Sequence, residues 1–222
     1  YDTLLNSEQI IKTLTEELSI QKEKLISLQN ELSQKRKKVA CDFERDIIDQ
    51  LSDLGFNSCE FSVSFLNEDK VKLAENGQDE VEFYISLNKG QPLRALKKIA
   101  SGGEVSRIML ALKNIQAGAD QIDSCVFDEI DTGISGEAAK QAGIILKKLS
   151  SLRQVIAITH QPQIAAKASV HYFVFKQEKN NKIATAVRNL NNEERILAIA
   201  QMLSGEKPTA AALENAREMV RN

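Results

Sequence analysis

The sequence predicts an α/β fold that is preceded by one long helix. Apolar residues recur every seven positions from Leu4 to Val39, which is typical of a coiled-coil helix. Between residues 104 and 159, amphipathic helices alternate with short apolar strands, the pattern of a sheet flanked by helices. The chain has 222 residues, of which 42% are hydrophobic. This is enough for one globular core with an appendage.

The N-terminal segment, residues 1–55, is predicted to be a coiled-coil helix. No glycine or proline occurs before Gly55, and a second apolar row is filled only at Leu14 and Leu28. Such a helix needs a partner helix, because an isolated helix of this polarity is marginally stable. The alternative is a surface helix that lies on a globular core. The residues of the main seam are Leu4, Ile11, Leu18, Leu25, Leu32 and Val39.

Residues 56–222 are predicted to form the globular part. Two short apolar strands, 124–127 and 154–159, are expected to be parallel neighbours in a sheet covered on both faces. The full set of predicted elements comprises strands Glu60–Leu66, Val81–Leu87, Ser124–Phe127 and Gln154–Thr159, a hairpin of Val170–Phe175 and Lys182–Asn189 around Asn180-Asn181, and helices Glu104–Gln116, Glu137–Leu149, Glu193–Leu203 and Thr209–Arg221.

Composition excludes several classes of protein. The formal net charge is −2, so any contact with nucleic acid has to come from local basic patches. Cys41, Cys59 and Cys125 have no metal-binding spacing, which suits a reducing cytosol. There is no signal peptide and no apolar run long enough to span a membrane. We therefore expect a cytoplasmic protein with no membrane partner.

The end of the strand 124–127 carries two adjacent carboxylates, Asp128 and Glu129. Mg²⁺ bound to nucleotide phosphates takes carboxylate or water ligands, and phosphoryl transfer to water needs a group that positions or deprotonates that water. Asp128 can hold the metal and Glu129 can act as the general base. The alternative is a strand that ends in an ordinary charged turn.

Further polar residues follow the same two strands. Asp131 and the glycine-containing segment 132–136 come directly after the carboxylates, and His160 follows the strand 154–159. In open α/β sheets, ligands bind at the carboxyl ends of strands, where a histidine can reach a γ-phosphate. The alternatives are a turn with Ser135 capping the next helix, and a histidine with a purely structural role.

The segment from Ser101 to Glu104 opens an amphipathic helix. The backbone N–H groups of Gly102 and Gly103, together with the Ser101 hydroxyl, make a helix N-terminus that suits an anion. The alternative is simple capping, since Ser101 and Glu104 also satisfy a capping box. The two interpretations are compatible, because the geometry of a capped helix start also exposes its backbone N–H groups to an anion.

Three segments together resemble the RecN family, bacterial double-strand-break repair ATPases related to SMC proteins and to ABC-type ATPases. The resemblance extends over nearly the whole chain, because the N-terminal helix is similar to the returning strand of the RecN coiled coil. The sequence Ala-Ser-Gly-Gly-Glu departs from the Leu-Ser-Gly-Gly-Gln of transporters, which favours the SMC and RecN branch. The matching segments are 100–113, 127–136 and 158–166.

The resemblance implies half of a split ATPase head. The phosphate loop, G-x-x-x-x-G-K-[ST], is absent from this sequence and in this family lies before the coiled coil, in the N-terminal half of the same protein. The implied partners are that half, a second head in an ATP-sandwiched homodimer, and DNA; the implied cofactors are ATP and Mg²⁺. The chain alone is expected not to hydrolyse ATP.

Roles follow by matching positions. Ser101 and Gly103, with Gly102 and Glu104 in the same segment, would bind the nucleotide of the opposite head. Within one head, Asp128 would hold Mg²⁺, Glu129 would be the base and His160 would sense the γ-phosphate. Asp131 would bridge the two heads.

Two basic clusters are candidate DNA contacts: Lys35-Arg36-Lys37-Lys38, and Arg94 with Lys97 and Lys98. The alternative is a solvated helix face and a soluble loop. For the protein as a whole, three functions remain open. These are an ATPase that gates DNA holding in break repair, a structural DNA tether with ATP as its assembly switch, and another SMC-like coiled-coil ATPase.

Overall fold

The computed structural model describes residues 2–66, 74–99, 102–119, 122–179 and 182–221. The elements it defines largely follow the predicted order. They are helices α1 (Asp2–Asp53), α2 (Gly102–Ile115), α3 (Gly136–Leu149), α4 (Pro162–Ala165), α5 (Asn192–Ser204) and α6 (Ala210–Arg221), strands β1 (Glu60–Phe65), β2 (Val81–Ser86), β3 (Arg94–Ala95), β4 (Ser124–Phe127), β5 (Gln154–Ala157), β6 (Tyr172–Lys179) and β7 (Lys182–Asn189), and a 3₁₀ turn (Leu96–Lys98).

The chain forms two compact units. The first comprises residues 1–48 and 60–98, and the second comprises residues 49–59 and 99–222. Helix α1 therefore contributes to both units. The functional division into a coiled-coil segment, 1–55, and a half head, 56–222, stays a prediction.

In the first unit, α1 packs against the antiparallel sheet β1-β2-β3. Phe43 of α1 lies beside Phe61 and Phe83 of the sheet, with ring centroids 6.1 and 5.7 Å away. The backbone N–H of Val63 donates a hydrogen bond to the Glu44 carboxylate at 2.6 Å. Aromatic packing and this bond fix the helix on the strands.

Helix α1 is continuous, as the heptad pattern predicts. Ile11, Leu18 and Val39 of the seam are more than 60% exposed, whereas Leu32 is 38% exposed. Beside Leu32, Ser33 donates a hydrogen bond of 2.6 Å to Asp79 of the same unit. The partner helix of the seam remains a prediction. No helix in the described ranges is long and apolar enough to cross a membrane.

In the second unit, β4 and β5 form a parallel pair with Val126 opposite Ile156. Phe127 is 6% exposed on one face, but Val126 and Ile158 are 64% and 57% exposed on the other. The expectation that the sheet is covered on both faces is therefore wrong for this chain. The described residues cover only the face that carries Phe127.

The rest of the second unit is helical, with one hairpin. Helices α4, α5 and α6 meet around a small-residue core that includes Ile199, Ala200 and Ala216, all fully buried. The β6–β7 hairpin has a longer first strand than predicted, and its expected turn, Asn180-Asn181, lies outside the described residues. Strand β3, the 3₁₀ turn and α4 were not predicted, because two to four residues are too short for a periodic pattern.

Candidate functional site

Helix α2 begins at Gly102, so the glycine pair opens the helix as predicted. A Cβ at Gly103 would lie 2.7 Å from the Thr132 Cβ and 3.1 Å from the carbonyl oxygen of Glu129. Only glycine allows the start of the helix to pack this closely on the turn after β4. Glu104 lies in the first turn of α2, and Ser101 lies outside the described residues.

Two residues of α2 that the sequence analysis did not single out hold this contact. The Ser106 hydroxyl donates a hydrogen bond of 2.6 Å to the carbonyl of Asp128, and Arg107 donates one to the carbonyl of Thr132. The Arg107 guanidinium also lies 4.7 Å from the centre of the Phe56 ring. Burial lowers the pKa of Arg107. The sequence did contain a signal for the role of Arg107, because this charged residue lies on the apolar face of α2.

Asp128 and Glu129 follow β4 directly, and both are exposed. Among the described residues other than glycine, only Glu129 has a positive φ, of 56°. This left-handed backbone costs roughly 1–2 kcal/mol. Its backbone N–H donates to the Asp128 carboxylate at 2.9 Å. The Glu129 carboxylate lies 2.6 Å from the position that a Cβ at Gly102 would take, at the N-terminal end of α2, where the helix dipole favours a negative charge.

The carboxylate pair fits a nucleotide-bound Mg²⁺. Such an ion usually takes one or two protein carboxylates, and phosphates and water supply its remaining ligands. Asp128 is exposed and suits this donor set. In the described part of the chain, no group of three or more His, Cys, Asp or Glu side chains could hold a metal ion by itself. The assignment of Asp128 as the residue that would hold Mg²⁺ together with the nucleotide stays a prediction.

Asp131 anchors the segment that carries His160. Its Oδ2 accepts hydrogen bonds from the Thr159 hydroxyl at 2.6 Å, the His160 backbone N–H at 2.7 Å and the Gln161 backbone N–H at 3.2 Å. The His160 Nδ1 lies 3.0 Å from the same oxygen. The Asp131 side chain is 3% exposed, whereas that of His160 is 75% exposed.

This network orients both side chains and favours the charged form of Asp131. Burial disfavours the charged form of Asp131, but the hydrogen bonds from Thr159 and the His160 backbone outweigh it and lower the pKa of Asp131. A proton on the His160 Nδ1 points to this carboxylate. Nε2 is then the ring nitrogen that remains for a ligand.

The candidate residues thus form a connected group. Gly102 meets Glu129, Gly103 meets Thr132, and Asp131 holds His160. In this structure the Asp131 carboxylate binds its own chain, and its assignment as a bridge between heads stays a prediction. The assignment of the glycine segment to the nucleotide of another head also stays a prediction. Ser135 occupies the cap position of α3, but its side chain makes no capping hydrogen bond.

The basic cluster on α1 is largely occupied by interactions within the first unit. Lys35 pairs with Glu31 at 2.6 Å, and Arg36 pairs with Asp79 at 2.9 Å. Lys37 lies over the Phe65 ring. In the second predicted cluster, Lys97 pairs with Glu82. These pairings favour the structural interpretation of the paired residues.

Comparison with known proteins gives one consistent group of relatives. No family model matches the chain. The chain is 38% identical to the DNA repair protein RecN of Halalkalibacterium halodurans over 99% of its own length, 41% identical to that of Treponema pallidum over 86%, and 35% identical to that of Bacillus subtilis over 99%. It covers 39%, 34% and 40% of these relatives. The chain thus spans about two fifths of their length.

The fold has a counterpart among solved structures. The Smc head domain of Pyrococcus yayanosii, with its coiled coil and joint, aligns with 88% of this chain and with 36% of that one, at a TM-score of 0.55 and 20% identity. This likeness confirms the predicted fold class, an SMC-type head lobe that carries a long N-terminal helix. Over the portion that it spans, which corresponds to the C-terminal part of those relatives, the chain belongs to the RecN family.

Proposed function

We propose that this chain is the half of an ATPase head that carries the signature, the catalytic carboxylate and the switch histidine. The observation that supports this best is the position of Asp131. It lies a few residues after Asp128 and Glu129, and its buried carboxylate binds the segment that carries His160. A turn that served only to end a strand would need no such link between the ends of β4 and β5. Phosphoryl transfer needs these groups in fixed positions.

The proposed roles follow from chemistry and placement. Glu129 accepts a proton from the attacking water as general base, and the exposed Asp128 holds Mg²⁺. The His160 Nε2 contacts the γ-phosphate, with Nδ1 held by Asp131. The N–H groups of the α2 N-terminus, with Ser101, bind phosphate oxygens of ATP on a second head.

The phosphate loop must come from elsewhere, since its lysine and amides are missing from this sequence. We propose that it lies on the N-terminal half of the same protein, which covers the open face of the β4–β5 pair. Val126, Ile156 and Ile158 on that face are 48% to 64% exposed, and burial of apolar surface favours such packing. Without that half, the chain alone does not hydrolyse ATP.

The proposed cellular role is the one that the names of the relatives state, DNA repair. Two heads would close around two ATP molecules, and hydrolysis would release them. This cycle would gate the holding of DNA at double-strand breaks. The exposed seam of α1 would pair with the outgoing strand of the coiled coil.

The test is steady-state ATP turnover of the complete protein, wild type beside Glu129→Gln, with and without linear DNA. We expect turnover to fall by about 10²-fold or more, because general-base catalysis contributes about 10²–10⁴-fold. ATP-dependent dimers should accumulate. Glu137→Gln is the matched control, since Glu137 is exposed on α3 and bonds only to Lys140 and Gln141 among the described residues.

The possible outcomes separate the candidate functions. Equal turnover for wild type and Glu129→Gln would show that the carboxylate pair only ends a strand. Loss of hydrolysis with intact repair in cells would favour the structural tether. Turnover by the isolated chain, free of contaminating ATPase, would contradict the need for a separate phosphate loop.

A further inference from the structure

A cationic cavity lies in the second unit, and its lining shares no residue with the group at the ends of β4 and β5. It has a volume of about 470 Å³ and is lined by residues of α3, of the segment after α4, of α5 and of α6. Its charged lining residues are Lys147, Lys167, Arg195 and Arg221, and no carboxylate belongs to the described lining. We refer to it as the 147–221 cavity.

Two of the four cationic side chains donate hydrogen bonds to neighbouring groups of the chain. Arg195 Nη2 donates hydrogen bonds to the carbonyls of Ala166 and Ala168 at 2.7 and 2.5 Å. Lys147 Nζ donates one to the Ser169 hydroxyl at 3.0 Å. These bonds fix the backbone after α4 and leave both cations on the cavity wall. No acidic side chain in the described structure neutralises either of them.

The remaining cationic donors of the cavity have no partner among the described residues. The side chains of Lys167 and Arg221 make no hydrogen bond or ion pair there, and the Arg195 Nε is buried without an acceptor. A buried donor without an acceptor loses the hydrogen bond that it makes to water in the unfolded chain, and like charges around one cavity repel each other. An anion in the cavity would relieve both costs.

We propose that the 147–221 cavity binds a phosphate group of the DNA backbone. Tetrahedral phosphate oxygens accept several hydrogen bonds at once, and arginine and lysine are their usual donors. Lys167 is half-buried and Arg221 is exposed, so a phosphate of a polymer at the surface can reach both. The choice of DNA rests on the proposed function, whereas the anion site rests on the cavity alone.

The first test is lysine acylation of the complete protein, read by mass spectrometry. Linear duplex DNA should slow acylation of Lys147 and Lys167 severalfold, and inorganic phosphate at constant ionic strength should slow it as well. Lys148 and Lys207 are internal controls, because both are exposed and lie outside the cavity lining. Their acylation should not change with either probe.

The second test is the salt dependence of DNA binding. Each DNA phosphate that the protein neutralises contributes about −0.9 to the slope of log K against log salt concentration. The double variant Lys167→Gln/Arg221→Gln should lower the magnitude of this slope by about 0.9 for each phosphate that the variant no longer binds. Lys148→Gln/Lys207→Gln makes the same change in net charge and should keep the wild-type slope. Thermal unfolding confirms that both variants fold.

The outcomes distinguish the two parts of the proposal. Equal slopes for the two double variants would overturn the assignment to the DNA backbone, and no protection of Lys147 and Lys167 by either probe would overturn the anion site as well. Protection by inorganic phosphate but not by DNA would keep the anion site and exclude the DNA backbone as its ligand. If the complete protein binds no DNA, the DNA part of the proposed function fails. The acylation experiment with inorganic phosphate then tests the anion site by itself.

Discussion

Asp131 holds the His160 segment through hydrogen bonds from the Thr159 hydroxyl and the backbone N–H groups of His160 and Gln161. We predict that Asp131→Asn lowers the free energy of unfolding of the chain at pH 7 by about 2 kcal/mol, the usual contribution of a hydrogen bond to a charged group. The substitution replaces a negatively charged carboxylate, which accepts hydrogen bonds from the Thr159 hydroxyl and the His160 N–H, with a neutral amide. Urea unfolding measures the change, and Asp123→Asn, an exposed carboxylate, is the control.

The same variant has a defined pH dependence. The pKa of Asp131 is lowered in the folded chain, so its contribution to stability is complete above the ordinary carboxyl pKa of about 4. It is lost as the pH falls through the lower folded value. The difference between wild type and Asp131→Asn should therefore shrink below about pH 4. A constant difference down to about pH 2 would contradict the assignment of the effect to this carboxylate.

Individual residues could be predicted where the sequence places them at the end of a strand or at the start of a helix. Asp128 and Glu129 follow β4 directly and His160 lies three residues after the end of β5, so the parallel pairing of the two strands accounts for their being at the same edge. The bond between Asp131 and the His160 segment could not be predicted, because it depends on the side-chain rotamer and on the course of the turn. Arg107 was missed because an arginine usually belongs to the exposed face of a helix.

At the scale of elements, the contact between α2 and the turn after β4 depends on Gly103. We predict that Gly103→Ala destabilises the chain by about 1–3 kcal/mol, because the added methyl would lie 2.7 Å from the Thr132 Cβ. Gly118→Ala is the matched control, since a Cβ there meets nothing within 4 Å. Equal unfolding midpoints for the two variants would contradict tight packing of α2 on the turn.

The elements themselves were largely predictable from period and length. Helices α2 and α3 repeat apolar residues at helical spacing, and β4 is a short apolar run whose bounds match the prediction. Strand β3 and helix α4 contain two and four residues, and tertiary contacts rather than local sequence determine such short pieces. The cap of α5, where Asn191 and Glu194 form a capping box, was readable in the sequence but was not used.

At the scale of the whole molecule, the exposed face of the β4–β5 pair is the main departure from expectation. Short apolar strands predicted a sheet covered on both sides, but the sequence does not tell which segments provide the cover. Val126 and Ile156 are register partners on the open face. A missing phosphate loop and an open sheet face are explained together if one lobe supplies both the loop and the cover.

This explanation predicts a substitution that hardly changes the stability of the isolated chain but lowers the activity of the complete protein. Ile156 is 48% exposed in the chain, so Ile156→Lys should change the stability of the isolated chain by only about 0.5 kcal/mol. In the complete protein the lysine would be buried without a partner, which costs several kcal/mol, and we expect ATP turnover to fall at least about tenfold. Leu152→Lys is the control, since Leu152 is 63% exposed in the turn before β5. Full turnover of Ile156→Lys would show that this face stays open to water and that the phosphate-loop lobe packs elsewhere.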